Sequence, residues 1–385
     1  VSRTSPGGDT RSRGAEIAYT APRHVREAIA SLRRTEDVRF SPDNRRLAIA
    51  DFARNRVVLF DVEVTASASG ASVALSHVIE IRSPDLKRPH GLDFVDDETL
   101  IVVNRGGDAC LFALPKGEAS DRVVELSPLH VMRAGGSHLL ASPGSVCVHE
   151  GDRSLAEILI CNNAGNTVTR HVLDRSAGYT PGDGRVLVQK WLDIPDGVSI
   201  TRDRRWMAVS NHSHNNVLLY ENPDALTPEA DPHGVLRGLQ CPHGVRFDAD
   251  GRHIFVADAG APYVHVYARK GGCWHGVHSP ITSFQVMDTA TFLRGKYNPQ
   301  EGGPKGLDID AGGNVLVVTS EFQTLTFLDL SAMLESTRAG SYRRIPAPTG
   351  LCTFATNSKS WIGPGGPEDG PAPGWWRYAL RSRRP

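Results

Sequence analysis

Two histidines occupy the same local setting about 150 residues apart: His90 in "RPHGLDF" and His243 in "CPHGVRF", each between a proline and a glycine that leads into an apolar run. The same layout returns with other polar residues in place of histidine. Glu36 opens "EDVRFSPD", Asp196 opens "DGVSITRD" and Lys305 opens "KGLDIDAG", while Gly144 fills the place in "GSVCVHEG". If these are equivalent positions of a repeat, imidazole, carboxylate and ammonium groups can meet at one point. Imidazole with carboxylate suits zinc or another transition metal. Without a metal, an imidazole that titrates near neutrality can serve as a general base.

The elements around these residues repeat too. Each start is followed by an apolar strand: "RRLAIADF", "TLIVVNR", "AEILICNN", "RWMAVSN", "HIFVADA" and "NVLVVTSE". A third strand follows, as in "RVVLFDV", "NVLLYEN" and "YVHVYAR", and a less regular fourth is read in "SHVIEIRS", "RVVELS", "RVLVQKW", "ITSFQVM" and "SYRRIP". Four short strands at a period of roughly fifty residues are the signature of a propeller blade. Turns such as "SPDN", "DADG" and "DAGGN" have the Asp, Asn and Gly that tight turns need. The expected fold is all-β, a six-bladed β-propeller of four-stranded blades. An alternative count of seven would use the tail from "PTGLCTF" and the N-terminal strand "EIAYTAP" (16–22). A Gly- and Pro-rich middle strand, "SWIGPGGPEDGPAPG", argues against it. The expected organisation is a disordered segment 1–14, a propeller domain 15–346 and a Pro/Gly-rich extension 347–385, with "REAIASLRR" a short capping helix.

In a propeller the inner strand of each blade starts on one face, and the loop after the second strand returns to that face. This predicts two rings at the channel mouth. One is Glu36, His90, Gly144, Asp196, His243 and Lys305; the other is Asp51, Asn104, Asn162 with Asn163, Asn211 with His212, Asp258, and Ser320 with Glu321. Buried charge is costly unless paired or coordinated, so this is not the lining of a channel built only for packing. Ordered water could also account for single polar positions.

Composition bounds the rest. Lys+Arg and Asp+Glu both number 43, so no net field favours nucleic acid or an anionic membrane. No apolar run approaches the ~18 residues of a membrane span. The N-terminus "VSRTSPGGDTRSRG" lacks the apolar core of a signal peptide, which leads to an expected cytoplasmic location. A chain that begins with Val is also compatible with a processed, secreted form. The six cysteines (110, 147, 161, 241, 273 and 352) include no CxxC pair and read as buried thiols, although Cys147 and Cys161 fall on neighbouring strands.

From Glu36 to Pro346 the pattern resembles the six-bladed superfamily of SMP-30/gluconolactonase-type lactonases, paraoxonases, strictosidine synthase-like and NHL-repeat proteins. The resemblance implies a divalent cation at the channel mouth, often calcium, held by a Glu of the first inner strand and Asn or Asp of later blades. Glu36 and Asp196 match by position and type, whereas His90, Gly144 and His243 stand where carboxamides are expected. Calcium prefers six to eight oxygens, so the histidines favour zinc or another transition metal over it. His90, His243 and Asp196 are the expected ligands, with Glu36, Asn211 and Asp258 nearby. The peptidyl-amidoglycolate lyase of peptide amidation is similar in kind, a propeller with a histidine-bound metal.

The expected function is therefore a metal-assisted, lactonase-like hydrolase or lyase of a small molecule. His90, His243 and Glu321 are its candidate catalytic groups, and Asn104, Arg105, Asn162, His212 and Lys305 its candidate substrate contacts. Insertions at 129–143 and 287–304 enter the same rim and could roof the cavity. Two alternatives stay open. One is a scaffold whose face binds protein or glycan through Trp274, Phe322, Trp375 and Trp376; the other is a metal-free, strictosidine synthase-like acid–base enzyme using Glu36 or Glu321.

Overall fold

Alternation along each apolar strand sends successive side chains to opposite faces, and here both faces are buried. In Arg46–Asp51, Leu47 and Ile49 pack in one cluster and Ala48 and Ala50 in another. The computed structural model describes residues 15–68, 70–116, 122–150, 154–296 and 301–338, all within one compact unit. These residues form six sheets, each with at least four strands, joined through six apolar clusters. Each cluster fills the space between two neighbouring blades, so burial of both sheet faces closes the ring. The fold is a six-bladed β-propeller.

The inner strands of the six blades are Thr35–Phe40, Pro89–Asp96, Pro143–Glu150, Pro195–Ile200, Pro242–Phe247 and Leu307–Ile309. Three fourth strands fall where the sequence reading has them, within Gly70–Arg82, Arg185–Val188 and Thr282–Gln285, and the others depart from it. "RVVELS" does not complete the second blade: Arg122–Glu125 adds in parallel to the edge of the first, and His130–Met132 completes the second. Blade four is completed by Gly234–Leu236 and gains Gly276–His278 in parallel. Glu16–Ile17 belongs to the sixth blade and not to a seventh, pairing antiparallel with Thr326–Asp329, so an N-terminal strand closes the ring. "SYRRIP", the expected fourth strand of that blade, lies outside the described residues, as do 1–14 and the extension 347–385. The capping helix spans Arg23–Ser31, with Val25 and Ile29 one turn apart packing into the cluster between the sixth and first blades.

One turn recurs ahead of the inner strands. Two residues before Glu36, His90, Gly144, Asp196 and His243 stand Arg34, Arg88, Ser142, Ile194 and Cys241, all at φ between 51° and 59°. Left-handed backbone is uncommon without glycine and a true outlier for a β-branched residue such as Ile194. The neighbouring chain holds it there. The carbonyls of Arg88, Ser142, Ile194 and Cys241 accept from the amides of Arg105, Asn163, His212 and Ala259, at 2.9–3.2 Å. From the preceding blade, Asn55, Asn166 and Asn215 accept the amides of Arg88, Ile194 and Cys241 at 2.6, 3.0 and 2.9 Å.

The glycines after His90, Asp196, His243 and Lys305 have a different purpose. A Cβ on Gly197 would lie 2.2 Å from the His243 carbonyl oxygen, and one on Gly244 would lie 2.6 Å from that of Lys305. Inner strands thus approach backbone to backbone, and Gly244 N donates to the Lys305 carbonyl at 2.9 Å. Replacing Gly244 with Ala must push blade five from blade six. Urea unfolding of G244A should show a loss of about 2 kcal/mol or more, the usual cost of overpacking; unchanged stability would contradict the close approach.

Candidate functional site

The left-handed turn and the tight inner ring bring the expected first-ring side chains together. Glu36, His90, Asp196, His243 and Lys305 are all buried. His243 Nε2 lies 3.2 Å from Asp196 Oδ2 and 3.5 Å from Glu36 Oε2, and His90 Nε2 lies 3.6 Å from that same Glu36 oxygen. The two imidazoles stack, with centroids 5.3 Å apart and planes 19° from parallel. His90 Nδ1 is 2.5 Å from the Gly144 carbonyl, a donor–acceptor contact that leaves Nε2 facing the cluster as a lone pair. Beneath the cluster a small cavity runs down to Arg39 and Arg246.

Cations hold the carboxylates. Lys305 Nζ lies 3.1 Å from both oxygens of Glu36 and donates to Oε1; Oε2 is close to the ammonium but accepts no well-angled hydrogen bond. Arg34 also donates to Oε1 and stacks on Phe52, its guanidinium carbon 4.3 Å from the ring centroid. Burial alone would raise the Glu36 carboxyl, but Lys305 and Arg34 outweigh it and hold the group well below the usual carboxylate range. Asp196 is depressed in the same way, against its burial, by His243, His90 and Arg105. Burial and the nearby Arg105 push His90 down to about 3, so it is neutral near pH 7. For His243 burial works downward, yet Asp196 and Glu36 together carry its pKa above the ordinary imidazole value.

One partner had no signal in the repeat. Glu301, in the insertion ahead of blade six, reaches Lys305 Nζ at 3.2 Å and His212 Nε2 at 3.5 Å. Against its burial, Lys305 brings its carboxyl down to about 2. The insertion itself carries a short helix, Thr289–Gly295, capped by Asp288, whose side chain accepts the Thr291 amide. An acid in an irregular insertion has no register that could be read from the neighbouring blades.

The second ring divides. In five blades the residue ending the second strand does not face the cluster: it accepts a backbone amide from the turn ahead of its own inner strand; in the sixth, Ser320 instead bonds to Gln323. Asp51, Asn104, Asn162, Asn211 and Asp258 accept from Arg33, Lys87, Ala141, Asp193 and Gln240, at 2.6–3.1 Å. Asp258 also meets His265 Nε2 at 3.2 Å, and His265 Nδ1 meets Ser283 Oγ at 2.7 Å. Thus Asn211 and Asp258, expected beside a metal, and Asn104 and Asn162, expected at substrate, are fastened to the turns. The next residue along is the one that reaches the mouth. Asn163 Nδ2 donates to Asp196 Oδ1 at 2.9 Å, Arg105 Nη1 lies 4.0 Å from that oxygen, and His212 Nδ1 lies 3.9 Å from Oδ2. Glu321 is partly exposed and helps keep Arg34 protonated.

Cys110, Cys147, Cys161, Cys241 and Cys273 are free thiols, so Cys147 and Cys161 are not bridged; Cys352 lies outside the described residues. Trp274 is fully buried, its indole donating to the Gly251 carbonyl, so it offers no contact surface; Phe322 is exposed, and Trp375 and Trp376 lie outside the described residues.

No protein-family model matches this chain, and no curated protein matches it in sequence. Solved structures do resemble it. A protein of unknown function from Desulfotomaculum acetoxidans is 14% identical with a TM-score of 0.50, over 77% of this chain and 83% of its own. A protein provisionally named a gluconolactonase is also 14% identical, with a TM-score of 0.48, over 78% of this chain and 89% of its own. At this identity the likeness concerns fold, and the fold and mouth together define a six-bladed propeller with a buried Glu–His–His cluster.

The ion pair under the cluster has a checkable energy. Lys305→Met leaves the Glu36 carboxylate short of its main cation, and breaking a buried pair this way costs about 3–5 kcal/mol. The double variant E36Q/K305M should recover at least half of that loss in urea unfolding. Equal losses in single and double variants would show that the pair is not coupled.

Proposed function

We propose that the protein is a metal-assisted hydrolase or lyase acting on a small carbonyl compound at the channel mouth. The observation that carries this reading is the buried trio Glu36, His90 and His243, each of which offers one ligand atom within 4.8 Å of those of the other two. Oxygen–nitrogen separations of 3.5 and 3.6 Å match the edge of a tetrahedron with ligand bonds near 2.1 Å, about 3.4 Å. The donor chemistry fits as well: one buried carboxylate oxygen without a well-angled hydrogen bond, and His90 neutral and oriented by a backbone carbonyl, as metal-bound imidazoles usually are. Glu36, His90 and His243 would hold the ion, with Asp196 beside them. A divalent metal there supplies polarisation of a carbonyl and a water acidic enough to attack it.

The chain's own groups supply the rest. Lys305 and Arg34 keep Glu36 ionised in a site that would otherwise neutralise it. His212, held between Asp196 and Glu301, has an unbonded Nδ1 on the mouth side and can take a proton from the attacking water or return it to a leaving oxygen. The low-dielectric setting makes each of these charges count for more than it would in water.

A second reading is favoured by one observation. Lys305 already lies on Glu36, and His243 is held toward its protonated form by two carboxylates. That arrangement suits metal-free acid–base chemistry with His243 as the acid. The two readings separate on purified, tag-free protein titrated with zinc, then assayed on lactones and esters. The metal reading expects one zinc per chain, lost at least 100-fold in affinity by H90A and by H243A but kept by H212A, with hydrolysis dependent on the metal. Turnover insensitive to chelation, or zinc binding indifferent to both histidines, would overturn it.

A further inference from the structure

On the outer half of blade five, three side chains from three successive strands are joined by hydrogen bonds. Asp258 ends the second strand, His253–Asp258; His265 lies on the third, Tyr263–Ala268; Ser283 lies on the fourth, Thr282–Gln285. His265 Nε2 is 3.2 Å from Asp258 Oδ2, and His265 Nδ1 is 2.7 Å from Ser283 Oγ. Asp258 is buried, and its oxygens also accept the amides of Gln240 and Gly260 at 2.7 and 3.1 Å. Burial raises its carboxyl above the ordinary value, while His265 and these two amides work against that. An ionised carboxylate only accepts, so Nε2 of the imidazole carries the proton and Nδ1 is left as a lone pair. The Ser283 hydroxyl then donates to Nδ1. These are the roles of a Ser–His–Asp triad, which is recognised by geometry and not by position in the chain.

The sheet register bears on access. It pairs His265 with Ser283 and Tyr263 with Gln285, and one place further on the Val286 amide donates to the Pro262 carbonyl at 3.0 Å. Hydrogen-bonded and non-hydrogen-bonded pairs alternate along an antiparallel ladder, so His265 and Ser283 form a non-hydrogen-bonded pair, the kind whose side chains stand closer. The Ser283 amide therefore points away from the third strand, toward the sheet edge, and no further strand pairs there among the described residues. Ser283 is partly exposed, and Ile281, two residues earlier, is 36% exposed. In acyl transfer the nucleophile's own amide is one of the donors that receive the developing oxyanion. We propose that Asp258, His265 and Ser283 form a nucleophilic relay, and that Ser283 takes a short apolar acyl group from a small ester. Ser283 Oγ forms a bond to the acyl carbon and its proton passes to His265 Nδ1. The bond from that carbon to the leaving oxygen breaks, and the alcohol departs with the proton from Nδ1. Asp258 acts as a positioning residue that fixes the imidazole tautomer. This site is separate from the channel mouth and stands independently of the metal reading.

The test incubates the full chain, treated with chelator, with p-nitrophenyl butyrate and locates the butyryl group by peptide mass spectrometry. Ser283 should be butyrylated about 100-fold faster than the exposed Ser176, or more, the lower end of what a positioned general base contributes. S283A should lose that labelled peptide, and H265Q should slow the labelling of Ser283 by about the same factor. The comparison with Ser176 is made within the wild-type protein, so it stands even if H265Q fails to fold. Butyryl transfer to Ser283 no faster than to Ser176, or equally fast in wild type and in folded H265Q, would overturn the inference and leave the three residues a fastening of the outer strands.

Discussion

The backbone-to-backbone approach of neighbouring inner strands governs everything at the mouth. Where Gly197 meets the His243 carbonyl and Gly244 meets that of Lys305, no side chain fits, and the blades close to a distance that only glycine allows. His90, Asp196, His243 and Lys305, each just ahead of such a glycine, lie buried at the mouth, and Glu36, ahead of Asp37, joins them there. Five left-handed residues upstream set the direction of the turn into the inner strand, at a cost of about 1–3 kcal/mol each. Side-chain carbonyls of Asn55, Asn166 and Asn215 and the clamps from Asp51, Asn104, Asn162, Asn211 and Asp258 hold the strained turns in place. Strain of this kind persists only where the surroundings over-determine it, and here it sits directly behind the candidate site.

The consequence is a dense set of buried charges. Glu36 is fully buried, and Lys305 and Arg34 keep it ionised. Isolated, such a carboxylate would take up a proton. Networked, it presents one oxygen to two imidazoles from blades two and five. The same logic separates the two histidines. His90 sits near Arg105 and is neutral; His243 sits between two carboxylates and is held toward the protonated form. Two identical side chains at equivalent places of a repeat are thus given different acid–base properties by their neighbours alone.

How much of this could be read from the sequence follows from which features repeat. A polar residue ahead of glycine recurs at the inner-strand start of blades two, four, five and six, and the strand pattern after it recurs in all six, so the first ring and the six blades are legible, including the meeting of His90 with His243. The second ring was displaced by one residue. Asn104, Asn162 and Asn211 looked like channel carboxamides, but a strand's last residue is needed to fasten the turn opposite, and the mouth belongs to Arg105, Asn163 and His212. The outer strands escape the sequence reading where the chain lends one to a neighbouring blade: Arg122–Glu125 reads as part of the second blade and pairs with the first, and Gly276–His278 gives no strand signal, because pairing across a blade junction leaves no periodic trace. Glu301 was invisible for the related reason that its insertion has no counterpart to align.

The proposed metal reading requires that Glu36, His90 and His243 form one coordination sphere. X-ray absorption at the zinc K-edge on the loaded, tag-free protein reads that sphere directly. The expected result is a first shell of nitrogen and oxygen at about 2.0–2.1 Å with outer-shell scattering from two imidazole rings, reduced to one ring in H90A. A shell of oxygens alone, or imidazole scattering unchanged in H90A and in H243A, would place the metal elsewhere and contradict it.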